Sequence, residues 1–354
     1  MREGMQIEDA NIPVTDKVAL LHALSETGLR TIVVGSFVST RYTPQMADIE
    51  EIVSRLEPRP GVTYTALVAP GRYGDQARRY SPPLTLERGG PATLCHVCDV
   101  FTRRNWNRSR EQEIASWPDA VAGAREAGAT EARIGVNACW GSNFLGEFDQ
   151  AERMELLEAQ HRLWEEADIG VTRVYFGDPM SWCRPHVVEE QLEAVKRRWP
   201  EIHDFTLHLH DGRGMAIPSA YAALRVLEPG DTLHLDGTIG GIGGCPYCGN
   251  GRATGLMPTE DLVHMLDGMG ITLGVDLDRL VDCVWMLEEA LGRTAAGHVS
   301  KAGPRPTADR LYDPNAPFVE THEQARHFRL GPRTYEGGIS PWRTPIPGPD
   351  VQRS

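Results

Sequence analysis

The sequence predicts an α/β fold of the TIM (β/α)8 barrel type. Short β-branched or apolar runs alternate with longer segments of helical periodicity, which is the pattern of parallel strands joined by right-handed helical crossovers. Seven such strand–helix units can be counted, one fewer than a complete barrel contains. With 354 residues, 41% hydrophobic and 24% charged, the chain has ordinary globular composition and enough length for one large domain.

Each predicted strand is a short run that ends in small or polar residues. The strands are predicted at residues 31–37, 63–69, 93–100, 133–139, 172–178, 205–211 and 232–238. The helices are predicted at residues 15–28, 108–128, 150–167, 187–199, 215–227, 259–271 and 277–291.

The first strand of the predicted barrel is truncated or missing. The helix at residues 15–28 has no strand before it, and Met1 stands where that strand would be ending. A barrel with a gap exposes unpaired backbone edges, which proteins normally avoid. We therefore expect the native start to lie upstream of Met1.

The last part of the chain differs from the rest. Residues 303–354 contain nine of the 25 prolines together with five well-spaced aromatic residues, Tyr312, Phe318, Phe328, Tyr335 and Trp342. Disordered tails are poor in aromatics. We expect a barrel domain over residues 1–302 and a Pro-rich extension over 303–354 that packs on the barrel or on a partner subunit.

Composition limits the class of function. A net charge of -13 and a pI near 5.4 argue against nucleic-acid partners, which clustered Lys and Arg bind. No apolar run approaches membrane-spanning length, and the N-terminus lacks a signal-peptide pattern. These features predict a cytoplasmic protein that acts on a small molecule.

The seven cysteines are too few and too scattered for a disulfide framework. Two Cys-x-x-Cys spacings, Cys95 with Cys98 and Cys245 with Cys248, leave structural zinc as a rival interpretation. If residues 93–100 form a strand, Cys95 and Cys98 face opposite ways and cannot jointly chelate an ion.

The stretch FTLHLHDG, residues 205–212, predicts a metal site. On a strand His208 and His210 share one face, and imidazole is the commonest metal ligand. They end a predicted strand, where a TIM barrel places its active site. Asp178 and Asp236 end neighbouring strands and are either further site carboxylates or caps of the loops that follow.

Residues 237–255 form a loop with eight glycines in 19 residues. The spacing of a phosphate-binding P-loop, with its Lys and Ser or Thr, is absent. The composition is typical of a mobile lid that closes over a substrate. Cys245 is the candidate reactive group on it, and a buried inert thiol is the alternative.

These motifs resemble the 3-hydroxy-3-methylglutaryl-CoA lyase family of metal-dependent lyase and Claisen-condensing TIM barrels. The resemblance rests on FTLHLHDGRG, GGIGGCPY and TEDLVHMLDGMGI, and it continues in REGMQ, SFVSTRYTPQM and VFTRRNWNRS. It spans about residues 2–300, so the C-terminal extension is not covered.

The resemblance implies a divalent cation, Mg²⁺ or Mn²⁺, held by His208, His210 and Glu3. It makes Cys245 the catalytic thiol and Arg2 the group that polarises the thioester carbonyl. The sequence departs from the family at four positions. Glu3 replaces an Asp, Leu256 replaces a ligating Asn whose role Asn250 is expected to take, Val33 replaces an acid, and no cysteine follows Cys283.

The implied reaction is carbon–carbon cleavage of a 3-hydroxyacyl-CoA, or of a related hydroxy acid, by retro-Claisen or retro-aldol chemistry. His208 or Asp178 is the candidate base that accepts the hydroxyl proton, Arg2 stabilises the enolate oxygen, and Cys245 protonates the enolate carbon. Two alternatives stay open: an acetyl-CoA-dependent 2-oxo acid synthase of the same superfamily, and a non-catalytic descendant that binds metal or ligand.

The partners are expected to be a small-molecule substrate and a second copy of the chain. Candidate coenzyme A contacts are Arg103, Arg104 and Asn105. A homodimer is expected because barrels of this family are often dimers.

Overall fold

The computed structural model describes residues 1–69, 71–86, 90–249, 255–307 and Leu311. Its strands are β1 (Thr31–Phe37), β2 (Thr63–Val68), β3 (Cys95–His96), β4 (Glu131–Asn137), β5 (Gly141–Ser142), β6 (Gly146–Glu147), β7 (Gly170–Asp178), β8 (Asp204–Leu209) and β9 (Thr232–Asp236).

Its helices are α1 (Arg2–Met5), α2 (Val14–Ser25), α3 (Ile49–Ser54), α4 (Arg72–Arg78), α5 (Asp99–Trp106), α6 (Arg110–Ala115), α7 (Trp117–Glu126), α8 (Gln150–Glu165), α9 (Pro185–Arg198), α10 (Ala216–Val226), α11 (Thr259–Gly268), α12 (Leu277–Leu291) and α13 (Val299–Ala302).

Seven of the strands are parallel and follow one another in chain order. β1 pairs with β2, and β3, β4, β7, β8 and β9 form a five-stranded sheet in that order. Single bridges place Leu84 beside Tyr64 of β2 and Ala92 beside Arg133 of β4. Helices connect the successive strands, so the predicted alternation of seven strand–helix units is confirmed. Within the described residues no strand precedes Thr31, and the chain begins with the single helical turn α1.

Two predicted elements need correction. The strand predicted at residues 93–100 ends at His96, because the Cys98 sulfur accepts the Phe101 N–H at 3.4 Å and begins α5. The helix predicted at 108–128 is two helices, since Ser116 closes α6 and Pro118 lies in the first turn of α7. The remaining strand and helix predictions agree with the structure to within a few residues at each end.

The strands place apolar and polar side chains on opposite faces. In β4, Ala132, Ile134 and Val136 are fully buried and pack against the helices, and the same holds for the alternate residues of β7 and β8. The residues between them, among them Arg133 and Asn137, therefore face the inside of the barrel. This alternation creates the polar interior in which the candidate site lies.

The beginning of the C-terminal extension returns to the helical layer. Arg305 lies so close to α11 that a methyl group added at Gly268 would be 2.6 Å from its Nη2. The rest of the predicted extension, apart from Leu311, lies outside the described residues, so its packing stays a prediction. In the part of the chain that the structure describes, no helix has both the length and the apolar character that a membrane crossing needs.

Candidate active site

At the carboxyl ends of the parallel strands, three polar residues and one glycine lie in one layer. Asn137 pairs with Gly177, Gly177 with His208, and His208 with Asp236. An alanine at Gly177 would place its Cβ 2.1 Å from Asn137 Oδ1, so this strand end needs a glycine to admit the asparagine side chain. The layer lies at the edge where a barrel of parallel strands carries its active site.

Glu3, His208 and His210 converge on one point beside this layer, to which His208 itself belongs. One carboxylate oxygen and two imidazole nitrogens lie within 4.8 Å of one another, and His210 Nε2 is 3.9 Å from Glu3 Oε1. Ligands at about 2.1 Å from a cation are about 3 Å apart when adjacent and about 4 Å apart when opposite. Two imidazoles and a carboxylate are also a ligand set that divalent metals favour. The residues therefore fit a divalent cation, and among the described residues they form the only such group of three.

A carboxylate orients the first of these histidines. His208 Nδ1 lies 2.9 Å from Asp236 Oδ2, which leaves Nε2 to face the cluster. Burial opposes the charge of Asp236, but the hydrogen bond from His208 and the guanidinium groups of Arg2 and Arg133 outweigh it, so the pKa of Asp236 is lowered. The sequence placed Asp236 at a strand end without showing this partner.

The first turn of the chain supplies the third member of the cluster. Arg2 and Glu3 form an ion pair on α1. Gln6 Nε2 donates to Glu3 Oε1 at 2.9 Å and to the Gly244 carbonyl at 3.3 Å, which ties this turn to the glycine-rich loop. Gln6 is a positioning residue that the sequence did not reveal, because nothing in its local pattern marks its distant partner.

The glycine-rich loop passes close over α1. Gly243 has φ +102°, and a Cβ there would lie 2.8 Å from the Glu3 carbonyl oxygen. Both the backbone conformation and the close approach require glycine at this position. The loop thus holds Cys245 on the same side of the barrel as Arg2 and Glu3.

Cys245 is buried, with 8% of its surface exposed, and Cys248 is its hydrogen-bonding neighbour. The Cys248 thiol lowers the pKa of Cys245 by hydrogen bonding to it, against the effect of burial, and two backbone N–H groups and Arg2 add to the lowering. The same contact and burial raise the pKa of Cys248, whose sulfur lies 3.1 Å from the Pro179 carbonyl. Cys245 is therefore the acidic thiol of the pair.

Replacing Cys248 with alanine is expected to raise the pKa of Cys245, because the donor to its thiolate is lost. A thiolate is the species that alkylating agents attack, so alkylation of Cys245 by iodoacetamide at pH 7 should become slower and its pH profile should move upward. Peptide mass spectrometry after timed quenching measures the rate at this one site.

A Cys283→Ala variant is the control, since burial raises the pKa of that thiol to about 12 and it belongs to a different core cluster from Cys245. An unchanged pH profile for Cys245 in the Cys248→Ala variant would show that Cys248 does not set its acidity.

The two Cys-x-x-Cys motifs meet at one small cluster but form no metal site among the described residues. Cys98, Cys245 and Cys248 pack together with Phe101, Ala138 and Met180. Cys95 belongs to the main core instead and lies on β3. This packing argues against the zinc interpretation.

The structure does not bring Asp178 to the cluster. Its carboxylate is fully buried and accepts the backbone N–H groups of Trp182 at 2.9 Å and Cys183 at 2.7 Å. Both oxygens therefore serve the turn after β7, which is the cap alternative considered from the sequence. The geometry gives this predicted base a structural role.

The other predicted positions are distributed as follows. Asn250 lies outside the described residues. Leu256 is buried and forms a bridge with His210, so an apolar side chain flanks the cluster where the related lyases are expected to have a ligand. Arg103 pairs with Asp99 at 2.7 Å, and Arg104 donates to the Tyr247 carbonyl at 3.2 Å, so both are engaged within α5 and the loop. Within the described part of the chain, the Asn105 side chain forms no hydrogen bond of this kind.

The chain is similar to known proteins over most of its length. The family model described as HMGL-like matches residues 1–286. The mitochondrial hydroxymethylglutaryl-CoA lyase of Gallus gallus is 33% identical over 304 residues, which cover 86% of this chain and 95% of the relative. The cytoplasmic 3-hydroxy-3-methylglutaryl-CoA lyase of Rattus norvegicus is 30% identical over 301 residues, or 85% of this chain and 82% of the relative.

Among solved structures, an HMG-CoA lyase from Acinetobacter baumannii in complex with coenzyme A and 3-methylmalate has a TM-score of 0.69 and 27% identity. The match covers 86% of this chain and 93% of that one. Together with the order of the parallel strands, this likeness confirms the predicted TIM-barrel fold class.

Proposed function

The chain belongs to the HMGL-like family, and from that premise we propose that it is a divalent-metal-dependent carbon–carbon lyase. The proposed substrate is a 3-hydroxyacyl-CoA related to 3-hydroxy-3-methylglutaryl-CoA. The observation that carries the proposal is the convergence of Glu3, His208 and His210 beneath a loop that carries an acidic thiol, Cys245.

Glu3, His208 and His210 would hold the cation, Mg²⁺ or Mn²⁺, and Asn250 is the further ligand that we propose from the sequence. When bound, the cation lowers the pKa of the substrate's 3-hydroxyl and fixes its orientation. Glu3 has one methylene more than the Asp expected from the family, and Gln6 donates a hydrogen bond to its Oε1.

The proposed acceptor of the hydroxyl proton is the Asp236 carboxylate, because the single lone pair of His208, at Nε2, would be on the cation. Asp178 has both oxygens engaged by backbone amides, whereas Asp236 lies beside the cluster and contacts His208 through Oδ2. His208 would thus serve as a ligand and as the residue that positions the base.

Arg2 and Cys245 serve the other half of the cleavage. The Arg2 guanidinium, which burial does not strip of its charge, stabilises the enolate oxygen as the carbon–carbon bond breaks. The Cys245 thiol then gives its proton to the enolate carbon, and its lowered pKa suits it to that transfer.

An acyl-CoA substrate is supported by the Acinetobacter relative, which was solved with coenzyme A and 3-methylmalate. The relatives named above include a mitochondrial and a cytoplasmic enzyme, and we propose a cytoplasmic location for this chain. We also propose that the protein is a homodimer.

Purified protein is expected to release acetyl-CoA from 3-hydroxy-3-methylglutaryl-CoA, or from another 3-hydroxyacyl-CoA in a panel, with Mg²⁺ or Mn²⁺. Treatment with EDTA should abolish the activity, and added cation should restore it. Chromatography of the acyl-CoA products makes the measurement.

The synthase alternative is tested by incubating the same preparation with acetyl-CoA and 2-oxo acids. The measured quantity is the free thiol that is released. Failure to cleave any member of the panel with either cation would reject the lyase proposal.

A further inference from the structure

A short hairpin follows β4 at the edge of the barrel where the candidate site lies. Its strands β5 and β6 are antiparallel, and Ser142 pairs with Gly146. The Ser142 hydroxyl accepts the backbone N–H groups of Phe144 at 3.3 Å and Leu145 at 2.9 Å, so the turn between the strands has a defined conformation. No step of the proposed reaction uses this hairpin.

Asn143, in the turn of the hairpin, uses both ends of its side-chain amide. Its Nδ2 donates to the Cys248 carbonyl at 3.0 Å. Its Oδ1 accepts the indole N–H of Trp182 at 3.0 Å and Arg213 Nη2 at 3.2 Å. Only this orientation of the amide satisfies all the partners, because indole and guanidinium groups donate and a carbonyl accepts. One side chain therefore ties the glycine-rich loop to the segments that follow β7 and β8.

The two groups that hold the Asn143 oxygen are themselves fixed. Arg213 Nη1 donates to the Met180 carbonyl at 2.6 Å, and the Arg213 guanidinium lies 5.7 Å from the centroid of the Trp182 ring. The Trp182 ring packs so closely on Gly141 that a Cβ there would lie 2.5 Å from its Cε3. The amide is thus held in place from the barrel side, and its N–H group is presented to the loop.

A second side chain holds the neighbouring residue of the loop. Arg104 of α5 donates from Nε to the Tyr247 carbonyl at 3.2 Å, and its guanidinium lies 5.5 Å from the centroid of the Phe144 ring. Phe144 in turn contacts the loop, since a Cβ at Gly249 would be 3.7 Å from its Cζ. Two successive carbonyls, those of Tyr247 and Cys248, therefore accept hydrogen bonds from side chains outside the loop.

The position of Cys248 determines the position of Cys245. Residues Pro246–Cys248 form a turn of 3-10 helix, and the Cys248 N–H donates to the Cys245 carbonyl at 3.1 Å. In such a turn the side chains of residues three apart lie on the same side. Pro246 fixes one backbone angle between them. Residues 245–248 therefore move together, and a contact to the Cys248 carbonyl also holds the Cys245 thiol.

We propose that Asn143 is a positioning residue that holds Cys245 at the candidate active site through its hydrogen bond to the Cys248 carbonyl. This inference rests on the proposed lyase function and adds to it the group that fixes the proton donor. Asn143 contacts neither the substrate nor the cation in this proposal. When its N–H donor is lost, residues 245–248 separate from the hairpin more often, and the thiol becomes more accessible.

The test is the alkylation rate of Cys245 by iodoacetamide in the full-length protein, measured by peptide mass spectrometry. The pH is set where the rate no longer rises with pH, so that the rate reports access to the thiolate and not its formation. Asn143→Ala is expected to accelerate alkylation by about 3- to 10-fold, the factor that one lost neutral hydrogen bond gives. Cys283, in a different core cluster, should react at its wild-type rate in the same samples.

Two further variants separate the hydrogen bond from the stability of the hairpin. Asn143→Asp keeps the oxygen that Trp182 and Arg213 contact but loses the N–H donor, so it should accelerate alkylation as Asn143→Ala does. Glu147→Gln is the matched control, because it removes the ion pair of the same hairpin with Arg184 and leaves the Asn143 amide intact. Its alkylation rate should equal that of the wild type.

Kinetics of thioester cleavage provide the second measurement. The kcat of Asn143→Ala is expected to fall by about 3- to 10-fold, because the proton donor is in place for a smaller part of the time. KM and Mn²⁺ affinity should stay near their wild-type values, since the hydrogen bonds of Asn143 do not include Glu3, His208 or His210. A general loss of stability would not produce this separation of kcat from metal affinity.

The proposal is overturned if Cys245 in Asn143→Ala is alkylated at the wild-type rate, if Asn143→Asp behaves like the wild type, or if Glu147→Gln gives the same acceleration. Faster alkylation of Cys283 as well would also overturn it, because the whole protein would then be opening. Alkylation needs no substrate, so its result is independent of the lyase assay. Acceleration without thioester cleavage would reject the lyase function and keep Asn143 as the residue that holds the loop, whereas cleavage with an unchanged kcat in Asn143→Ala would reject its positioning role.

Discussion

The Cys245→Ala enzyme is expected to lose about 10²- to 10⁴-fold in kcat for thioester cleavage, the range that a positioned general acid contributes. The physical reason is that in the proposed reaction the enolate must receive a proton at carbon, and Cys245 is the acidic thiol on the loop above the cluster of Glu3, His208 and His210. The affinity of the protein for Mn²⁺ should not change, because Cys245 is not one of the three clustered ligands.

Steady-state kinetics with and without saturating Mn²⁺ would measure both effects. Cys283→Ala is the matched control, since it removes another buried thiol that lies outside the cluster of Cys98, Cys245 and Cys248, and it should keep the wild-type kcat. Cleavage by Cys245→Ala at more than about a tenth of the wild-type rate would remove Cys245 from the mechanism.

Mn²⁺ affinity should fall by more than about 100-fold in His210→Ala, because one of the three proposed protein ligands is lost. It should fall by about 10- to 100-fold in Asp236→Asn, which keeps every ligand but weakens the hydrogen bond that orients His208. Turnover at saturating Mn²⁺ should also fall in Asp236→Asn, since the proposed proton acceptor is lost. Electron paramagnetic resonance of free Mn²⁺ during titration gives the affinities.

The barrel contains its own control for this experiment. Asp204 and His234 form a second carboxylate–imidazole pair on β8 and β9, at 3.2 Å, outside the cluster. Asp204→Asn is therefore expected to leave Mn²⁺ affinity unchanged. Equal losses in Asp204→Asn and Asp236→Asn would mean that the effect comes from interior charge and that His208 does not bind the cation.

Much of the fold could be predicted because its signals are local. Alternation of apolar and polar residues defined β4, β7, β8 and β9, and helical periodicity defined α8, α9, α10 and α12. The prediction failed at two places where a single side chain begins a helix. The Cys98 sulfur accepts a backbone N–H and begins α5 inside a run that looks like a strand, and Pro118 lies in the first turn of a separate helix, α7.

The candidate site was predictable in part. His208 and His210 share a strand face by periodicity alone, and the resemblance to the lyase family identified Arg2, Glu3 and Cys245. Asp178 shows the limit of this reasoning, because a carboxylate at a strand end serves equally well as a base or as a cap. Only the positions of the Trp182 and Cys183 N–H groups decide between the two.

The sequence by itself determined the class of fold, the strand that carries the histidines and the loop that carries the thiol, since each depends on residues that are neighbours in the chain. Only the tertiary structure decided that Gln6 holds Glu3 to the glycine-rich loop and that Asp236 holds His208. Those contacts join residues far apart in sequence, and they are set by the register of parallel strands and the path of loops, which no local pattern records.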